Sequence, residues 1–257
     1  MKTKLTTRLL FLGIMLFAQV SFAQAEYTAG LYTGKKGTLP YRILLPDGYT
    51  PTRSYPLIIF LHGAGERGND NQLQLTHGSG LFQDPLFRKK YSAIVVFPQC
   101  KKEGYWATVV ERKPPKFVYS KRPRKNPQQK LLVGLINTLE KQYSIDNKRI
   151  YVGGLSMGGM GTFELVYQQP KRFAAAFAIC GGAHPKIARR IRRPAWRIDH
   201  GVEDEVVDVS LSKKMVEALE DKGAKVIFNT YPKVNHNSWD NVFADPDFLP
   251  WLFSQSK

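Results

Sequence analysis

Cysteine is scarce in this chain, with 2 cysteines among 257 residues. No clustered His or Cys spacing indicates a metal site, so no metal or cofactor is expected. Cys100 and Cys180 each follow a predicted strand, and these strands should lie three positions apart in a sheet, roughly 14 Å at about 4.8 Å per position. A disulfide needs Cα atoms within about 7 Å. We favour two buried thiols and keep a bridge between curled loops as the alternative.

Long apolar runs are also lacking. The run over residues 9–17 is too short to span a bilayer of about 30 Å, and no later stretch approaches that length. Lys2, Lys4 and Arg8 precede this run, and small residues at Ser21 and Ala23 follow it at the spacing of a cleavage site. The pattern predicts a secretory signal peptide over residues 1–23, with an uncleaved membrane anchor as the alternative. The mature protein would then be exported, to a periplasm or out of the cell.

Acidic residues are few. The chain has 21 Asp and Glu against 38 Lys and Arg, a net charge of +17. Residues 1–23 hold three of the positive charges and no acid, so their removal leaves +14. Such a charge predicts affinity for acidic polymers or anionic surfaces. No nucleic-acid-binding motif accompanies the charge, so we do not predict binding to DNA or RNA.

The remaining residues, 24–257, have the length and composition of one globular domain, with 43% hydrophobic and 23% charged residues in the whole chain. Short apolar runs alternate with helical spacing, which predicts a mostly parallel α/β sheet. The predicted strands cover residues 38–45, 56–61, 92–98, 149–155, 173–179, 195–199 and 225–231. The predicted helices cover 130–143, 157–167, 212–222 and 239–254, the last interrupted near Pro246 and Pro250.

One segment departs from this alternation. Residues 101–130 carry ten Lys or Arg, two Glu and four Pro, a composition too polar and proline-rich for a core element. We predict a long basic loop at the carboxyl end of strand 92–98, which is the ligand side of an open α/β sheet. A second basic cluster occupies residues 186–197. For both segments the alternative is a solvated face with no specific ligand.

The strongest chemical signal is a Gly-x-Ser-x-Gly motif centred on Ser156, with Gly154 and Gly158 on either side. It stands directly after a predicted strand and directly before a predicted helix. A serine nucleophile needs this context, because a sharp strand-to-helix turn exposes its hydroxyl. Side chains two positions away would clash in such a turn, which explains the two glycines. Ser156 is therefore the predicted nucleophile.

A serine hydroxyl needs a base, and in this architecture the partners follow in the order serine, acid, histidine. Three histidines follow Ser156: His184, His200 and His236. Only His236 lies past the last predicted strand on a loop before the final helix, so we predict that it is the base. His200 ends a strand, and we expect it to structure its own loop.

The acid should follow the strand that ends at His200. The loop over residues 201–208 offers four carboxylates, and we choose Asp204 over the alternatives Glu203, Glu205 and Asp208. Asp204 would accept the imidazole Nδ1–H and fix the tautomer of the base.

Two backbone N–H groups are needed to hold the oxyanion of the reaction. One should be that of Met157, next to the nucleophile. The other should come from His62-Gly63-Ala64-Gly65, which follows strand 56–61. Ala64 is the favoured donor and Gly65 the second choice, with an ordinary glycine turn as the alternative.

Several of these motifs occur together in one known group. LHGAGERGND (61–70), FPQC (97–100), RIYVGGLSMGGMGTFEL (149–165), CGG (180–182), HGVEDEVV (200–207) and NHNSW (235–239) resemble α/β-hydrolase carboxylesterases over about residues 31–251. Most similar are the exported bacterial "predicted peptidase" and phospholipase/carboxylesterase-like proteins, which are related to feruloyl, acetylxylan and polyhydroxybutyrate esterases. The resemblance implies a three-layer fold with helices on both faces of the sheet. It also implies the triad Ser156, Asp204 and His236, and a supporting role for residues 66–70 below the oxyanion loop.

Together these features predict a serine carboxylesterase that works through an acyl-enzyme, with acetyl or feruloyl esters on polysaccharides as expected substrates. Trp106 and Trp239 are candidates for lining the substrate pocket, with a core position as the alternative for each. The basic loop would meet uronic acids of the polymer. Two other functions remain open: a serine peptidase of the same fold, and a non-catalytic protein that binds acidic polymers.

Overall fold

The protein is represented by a computed structural model that describes residues 26–123 and 126–257. The predicted signal peptide, residues 1–23, lies outside the described residues. Within those residues, none of the helices combines the length and the apolar character needed to cross a bilayer.

Strands and helices alternate along the described chain. The strands are β1 (Thr28–Gly34), β2 (Gly37–Leu44), β3 (Tyr55–Leu61), β4 (Ile94–Pro98), β5 (Val109–Lys113), β6 (Lys116–Tyr119), β7 (Ile145–Leu155), β8 (Ala175–Ile179), β9 (Ala195–Gly201) and β10 (Val226–Tyr231). The α-helices are α1 (Ser79–Gln83), α2 (Pro85–Lys90), α3 (Pro127–Gln142), α4 (Met157–Gln168), α5 (Ala188–Ile191), α6 (Ser210–Glu220), α7 (Trp239–Ala244) and α8 (Phe248–Phe253). Short 3-10 helices cover Leu73–Leu75 and Pro185–Ile187.

In the described part of the chain, eight strands form one sheet in the order β1-β2-β4-β3-β7-β8-β9-β10. The six strands from β4 to β10 in this order pair in parallel, whereas β2 is antiparallel to both β1 and β4. The prediction of a mostly parallel sheet is confirmed. All carboxyl ends of the parallel strands therefore meet at one edge, where the loops that carry chemistry are expected.

The sheet is buried on both faces. Successive residues of a strand point to opposite faces, and in β3 the side chains of Leu57 and Ile59 join one apolar cluster while Ile58 and Phe60 join the other. Helices α3, α4, α5 and α6 cover the first face, and α1, α2, α7 and α8 cover the second. The result is the predicted three-layer architecture of an α/β-hydrolase.

Helix α3 begins three residues before its predicted start. The side chain of Asn126 accepts a hydrogen bond from the backbone N–H of Gln128, and Pro127 occupies the first turn, where its missing N–H is no loss. The apolar spacing marks the buried face of this helix, which holds Leu131, Leu132, Leu135, Ile136 and Leu139. The Asn126 cap determines where α3 begins, and the apolar spacing alone does not predict this cap.

The structure differs from the prediction in one strand near the beginning of the described chain and one helix near its end. Strand β1 is not predicted, because it is an edge strand with mostly exposed or half-buried residues and lacks an apolar run. The predicted helix over 239–254 is two helices, α7 and α8. Residue Asp245 between them has extended backbone angles, as expected for a residue that precedes proline, here Pro246.

The basic segment contains a β-hairpin where we predict a continuous loop. Strands β5 and β6 pair with each other in a separate two-stranded sheet and are joined by Pro114 and Pro115. The sequence does carry a signal for it, because β-forming residues stand on both sides of the two prolines. Tyr119 of the hairpin packs with Met160 and Val207. The hairpin therefore lies beside the edge of the sheet where Ser156 is found.

A buried carboxylate ties the beginning of this basic segment to α4. Glu164 accepts hydrogen bonds from the backbone N–H of Thr108 at 2.5 Å and from its hydroxyl at 2.9 Å. Burial raises the pKa of Glu164 to about 7, although the two hydrogen bonds from Thr108 act in the opposite direction.

This raised pKa predicts a pH-dependent stability. Between the ordinary pKa of about 4.5 and the folded value of about 7, the unfolded chain releases the proton while the folded protein keeps it. The free energy of unfolding should therefore fall as the pH rises through this window, by about 3 kcal/mol from this one group. Glu164→Gln should remove that fall. Urea unfolding of both proteins at pH 5 and pH 8 measures it, and an unchanged pH dependence in the variant would contradict the prediction.

The two cysteines are free and buried. They follow β4 and β8, which are three positions apart in the sheet as expected. Burial raises the pKa of the Cys100 thiol to about 12. The structure agrees with the favoured expectation of two thiols, and the alternative of a bridge is not realised.

Candidate active site

Ser156 stands on the turn between β7 and α4. Its backbone has φ 53° and ψ −118°, a conformation that costs energy for any residue except glycine. The neighbouring chain leaves no room for side chains, because a Cβ on Gly158 would lie 1.9 Å from the carbonyl oxygen of Leu61 and one on Gly154 would lie 2.3 Å from the same atom. This crowding is the physical reason for the two glycines, and the strained turn points the hydroxyl out of the sheet edge.

Three residues far apart in sequence meet at this turn. The Nε2 atom of His236 lies 2.9 Å from the Oγ of Ser156, and its Nδ1 lies 2.8 Å from Oδ2 of Asp204. Since a carboxylate only accepts hydrogen bonds, Nδ1 carries the ring proton and Nε2 is free to accept the serine proton. The structure thus brings the three residues predicted as a triad into one hydrogen-bonded chain.

Asp204 is buried and held by its own loop. Its Oδ1 accepts hydrogen bonds from the backbone N–H groups of Val206 at 2.9 Å and Val207 at 2.8 Å. Burial acts to raise the pKa of Asp204, but hydrogen bonds from His200, His236 and the Val207 backbone outweigh it and hold this pKa well below its usual range. The carboxylate therefore stays ionised at neutral pH, as an orienting acid must.

The other carboxylates of this loop are placed differently. Glu203 and Glu205 are exposed. Asp208 is half-buried and accepts a hydrogen bond from the backbone N–H of Ser210 at the start of α6. None of these three has a hydrogen bond to His236 among the contacts of the described residues.

His200 contacts the same carboxylate, which the sequence did not indicate. Its Nε2 lies 3.1 Å from Oδ2 of Asp204 and 2.8 Å from the carbonyl oxygen of Val207, so this nitrogen carries a proton. Its Nδ1 pairs with the hydroxyl of Ser212 at 2.7 Å, and all of the ring is buried. His200 structures its loop, as expected, but it also fixes the orientation of Asp204.

Asn235 joins the two loops that meet here. Its side-chain oxygen accepts hydrogen bonds from the backbone N–H of His236 at 2.7 Å and of Glu205 at 3.1 Å. The third histidine, His184, caps a 3-10 helix through the backbone N–H of Lys186 and is not part of this chain of hydrogen bonds.

The predicted oxyanion loop passes directly beside the nucleophile. A Cβ on Gly63 would lie 3.8 Å from the Cβ of Ser156. Ala64 is half-buried at the site and Gly65 is exposed. Met157 is the first residue of α4, so its backbone N–H has no partner within the helix. Ala64 and Met157 therefore stay the candidate donors of the two N–H groups next to the serine.

Two side chains fix the conformation of this loop. His62 accepts a hydrogen bond at Nε2 from the backbone N–H of Cys100 (2.9 Å) and contacts the carbonyl oxygen of Gly63 through Nδ1 (2.6 Å). Burial lowers the pKa of His62 to about 4, so its ring is neutral. Arg67 donates a hydrogen bond to the carbonyl oxygen of Ala64 at 2.8 Å. The peptide planes on both sides of Ala64 are therefore held in place.

The two candidate pocket tryptophans have different positions. Trp239 is half-buried, and its ring meets that of His236 edge to face at a centroid distance of 5.5 Å. Trp106 is fully buried and packs against His62 with a centroid distance of 5.4 Å. The prediction that Trp106 lines the pocket is wrong, because its side chain has no exposed surface and belongs to the core below the oxyanion loop.

The site also contains a group of potential metal ligands. Among the described residues, Cys180, Asp204 and His236 place ligand atoms within 4.8 Å of one another. Burial and the neighbouring Asp204 raise the pKa of the Cys180 thiol above its usual range, so the thiol stays protonated. Because Nδ1 of His236 is committed to Asp204, these donors fit a proton-transfer chain and not a metal site.

Comparison with known proteins gives a consistent result. Residues 51–247 match the phospholipase/carboxylesterase family. The crystal structure of a thermostable esterase has 34% sequence identity and a TM-score of 0.82, covering 90% of this chain and 64% of that chain. The ferulic acid esterase of Anaeromyces mucronatus has 20% identity and a TM-score of 0.61, covering 86% of this chain and 87% of that chain. This last likeness concerns the fold.

A curated relative adds a partial match. The bifunctional acetylxylan esterase/xylanase XynS20E of Neocallimastix patriciarum is 39% identical over 75 residues, which are 29% of this chain and 11% of that protein. The chain thus spans about a tenth of this relative and less than two thirds of the thermostable esterase.

Proposed function

The chain belongs to the phospholipase/carboxylesterase family, and on this premise we propose that it is a serine carboxylesterase with Ser156 as nucleophile. One observation carries the proposal: the hydrogen-bonded chain from Ser156 Oγ through His236 to Asp204, with distances of 2.9 Å and 2.8 Å. An esterase needs an activated hydroxyl, and this chain supplies the base and the orienting acid for it.

In the proposed mechanism, Ser156 Oγ attacks the ester carbonyl while His236 Nε2 takes the hydroxyl proton. The negative charge moves to the carbonyl oxygen, where the N–H groups of Ala64 and Met157 hold it. The carbonyl re-forms as the bond to the alcohol breaks, and His236 donates its proton to the leaving alkoxide. Water then attacks the acyl-enzyme with His236 as base again, which releases the acid and restores Ser156.

For the substrate, we propose acetyl or feruloyl esters carried by polysaccharides. The partial match to an acetylxylan esterase and the fold likeness to a ferulic acid esterase support this choice. Trp239, half-buried beside His236, offers an aromatic surface to the acyl group or the sugar. If the predicted signal peptide is cleaved as proposed, the enzyme meets such polymers outside the cytoplasm.

The proposal is tested by offering the enzyme matched esters and amides. We expect hydrolysis of methyl ferulate and of p-nitrophenyl acetate, and no comparable hydrolysis of ferulamide or p-nitroacetanilide, because His236 alone must protonate the much poorer amine leaving group. Release of acid is followed by chromatography under identical conditions. Faster cleavage of the amides would instead indicate a peptidase, and turnover of neither class would contradict an enzymatic function for these substrates.

A further inference from the structure

One cleft is lined by two basic segments that are separate in the sequence. Its volume is about 760 Å³, and its lining consists of five exposed cationic side chains and one tyrosine: Lys121, Arg122, Tyr167, Lys186, Arg189 and Arg190. Lys121 and Arg122 follow the hairpin strand β6, whereas Lys186, Arg189 and Arg190 lie around α5. The fold therefore concentrates positive charge that the sequence distributes over two regions.

No acid neutralises this charge from within the described part of the chain. None of the five cationic groups of the cleft lies within 4.0 Å of a carboxylate there, and no carboxylate lines the cleft. The positive charges also act on the neighbouring His184. Burial lowers the pKa of His184, and the charges of Lys121 and Lys186 lower it further. Five like charges in one concavity repel one another, so a ligand with several negative charges would be bound favourably.

One cation of the cleft is also held in a fixed orientation. Arg190 donates a hydrogen bond through Nε to the carbonyl oxygen of Tyr167 at 2.8 Å, and its guanidinium lies over the Tyr167 ring at 4.9 Å. These contacts use Nε and leave the terminal N–H groups free to form a two-pronged pair with an anion. The carbonyl oxygen of Pro123, next to Arg122, accepts a hydrogen bond from Gln168, which anchors the other wall of the cleft to α4.

The cleft is connected to Ser156 through α4. Tyr167 is eleven residues beyond Ser156, which is about 16 Å along a helix. At the end of α4 nearer to Ser156, the side chain of Tyr119 packs on Met160. Met160 is about one helical turn beyond Ser156, and Tyr119 is two residues before Lys121. Because residues 157–167 of α4 are buried, a chain molecule that occupies both sites must cross the surface outside this helix.

The chemistry of the lining favours carboxylates on a polysaccharide over other polyanions. Single-stranded nucleic acids are held by aromatic side chains on which the bases stack, but Tyr167 is buried and covered by Arg190. A membrane surface requires apolar side chains that enter the lipid, whereas this surface is concave and cationic. We propose that the cleft binds the uronate groups of an acidic polysaccharide that presents its ester to Ser156.

The link to Ser156 rests on the proposed esterase function, but binding in the cleft can be measured without it. The test is calorimetric titration of the full protein at low ionic strength with an oligogalacturonate and with a neutral xylo-oligosaccharide of the same length. The variant Lys121→Glu/Lys186→Glu changes one residue in each wall. The matched control, Lys35→Glu/Lys36→Glu, alters the net charge equally at an exposed turn between β1 and β2.

We expect the wild type to bind the oligogalacturonate but not the neutral sugar, with affinity that falls as salt is added. The cleft variant should bind at least about tenfold more weakly, and the control variant should change by less than about twofold. Equal losses in both variants, or no saturable binding by the wild type, would overturn the proposal. Tighter binding of polyphosphate or single-stranded DNA of equal charge would replace uronate with a phosphate ligand.

These titrations, together with an assay of p-nitrophenyl acetate hydrolysis, separate this inference from the proposed function. A wild type that hydrolyses p-nitrophenyl acetate but does not bind the oligogalacturonate would disprove the cleft assignment alone. Binding at the cleft by a protein that hydrolyses no ester would support a binding site for acidic polymers and disprove its coupling to Ser156.

Discussion

Ser156→Ala is expected to lower kcat for p-nitrophenyl acetate and p-nitrophenyl butyrate by at least about a thousandfold, to the level of the residual catalysis left by binding and the oxyanion donors. The reason is that Oγ forms the covalent bond in the proposed mechanism, and among the described residues no other hydroxyl is hydrogen-bonded to Nε2 of His236. Alanine retains the backbone strain of φ 53° without adding volume, so the turn should keep its shape.

The measurement is initial-rate kinetics on the purified protein, beside a matched control. Ser254→Ala removes an exposed serine hydroxyl at the end of α8. It lies three residues before Lys257, whose backbone N–H donates a hydrogen bond to the carbonyl oxygen of Lys148 near the start of β7, whereas Ser156 follows the last residue of this strand. The control should retain wild-type kcat. Ester hydrolysis that survives Ser156→Ala would remove Ser156 from the mechanism.

The second large effect is expected for Asp204→Asn, which should lower kcat by about 10³- to 10⁴-fold although the side chain keeps its size. The backbone N–H groups of Val206 and Val207 both donate to Oδ1, so the amide oxygen of asparagine must take that place. Its NH₂ group then faces His236 Nδ1 at the former Oδ2 position. Because the amide donates there, Nδ1 must accept, and the ring proton moves to Nε2, where it prevents uptake of the serine proton.

His200 strengthens this expectation. Its Nε2 carries a proton and lies 3.1 Å from Oδ2 of Asp204, so the asparagine NH₂ would meet a second donor and could not relieve the conflict by rotating without losing both backbone bonds. The measurement is kcat and KM for p-nitrophenyl acetate, with circular dichroism to verify the fold. Glu203→Gln, one residue away and exposed, is the control and should behave as the wild type. An Asp204→Asn protein with more than about a tenth of wild-type kcat would exclude Asp204 as the orienting acid.

The shared carboxylate has a consequence for the electrostatics of the site. Asp204 receives hydrogen bonds or close contacts from two histidines and two backbone N–H groups. Those from His200, His236 and the Val207 backbone overcome the effect of burial and hold its pKa below the usual range. A carboxylate so strongly held stays ionised and immobile while His236 gains and loses a proton. This preorganisation is what the proposed mechanism requires, because no part of the acid needs to move when the imidazolium forms.

Features that depend only on neighbouring residues can be predicted from the sequence. Alternating apolar runs predict the central strands and helices, because burial on both faces of a parallel sheet demands continuous apolar runs such as that of β3. The turn at Ser156 is also predictable from neighbouring residues, because its crowded backbone requires a glycine two residues before the serine and another two residues after it. The order of serine, acid and histidine then restricted the partners to a few side chains, although it could not exclude Glu203 or Asp208 on local grounds.

Contacts between distant segments depend on how the elements pack and cannot be predicted from local patterns. His236 is 80 residues from Ser156 and 32 from Asp204, and their distances depend on the order of strands in the sheet. The burial of Trp106, the contact of His200 with Asp204 and the joining of two basic segments in one cleft depend on it as well. Local sequence patterns encode which face of an element is apolar. They do not encode which other element covers that face, and the close contacts of the site follow from that packing.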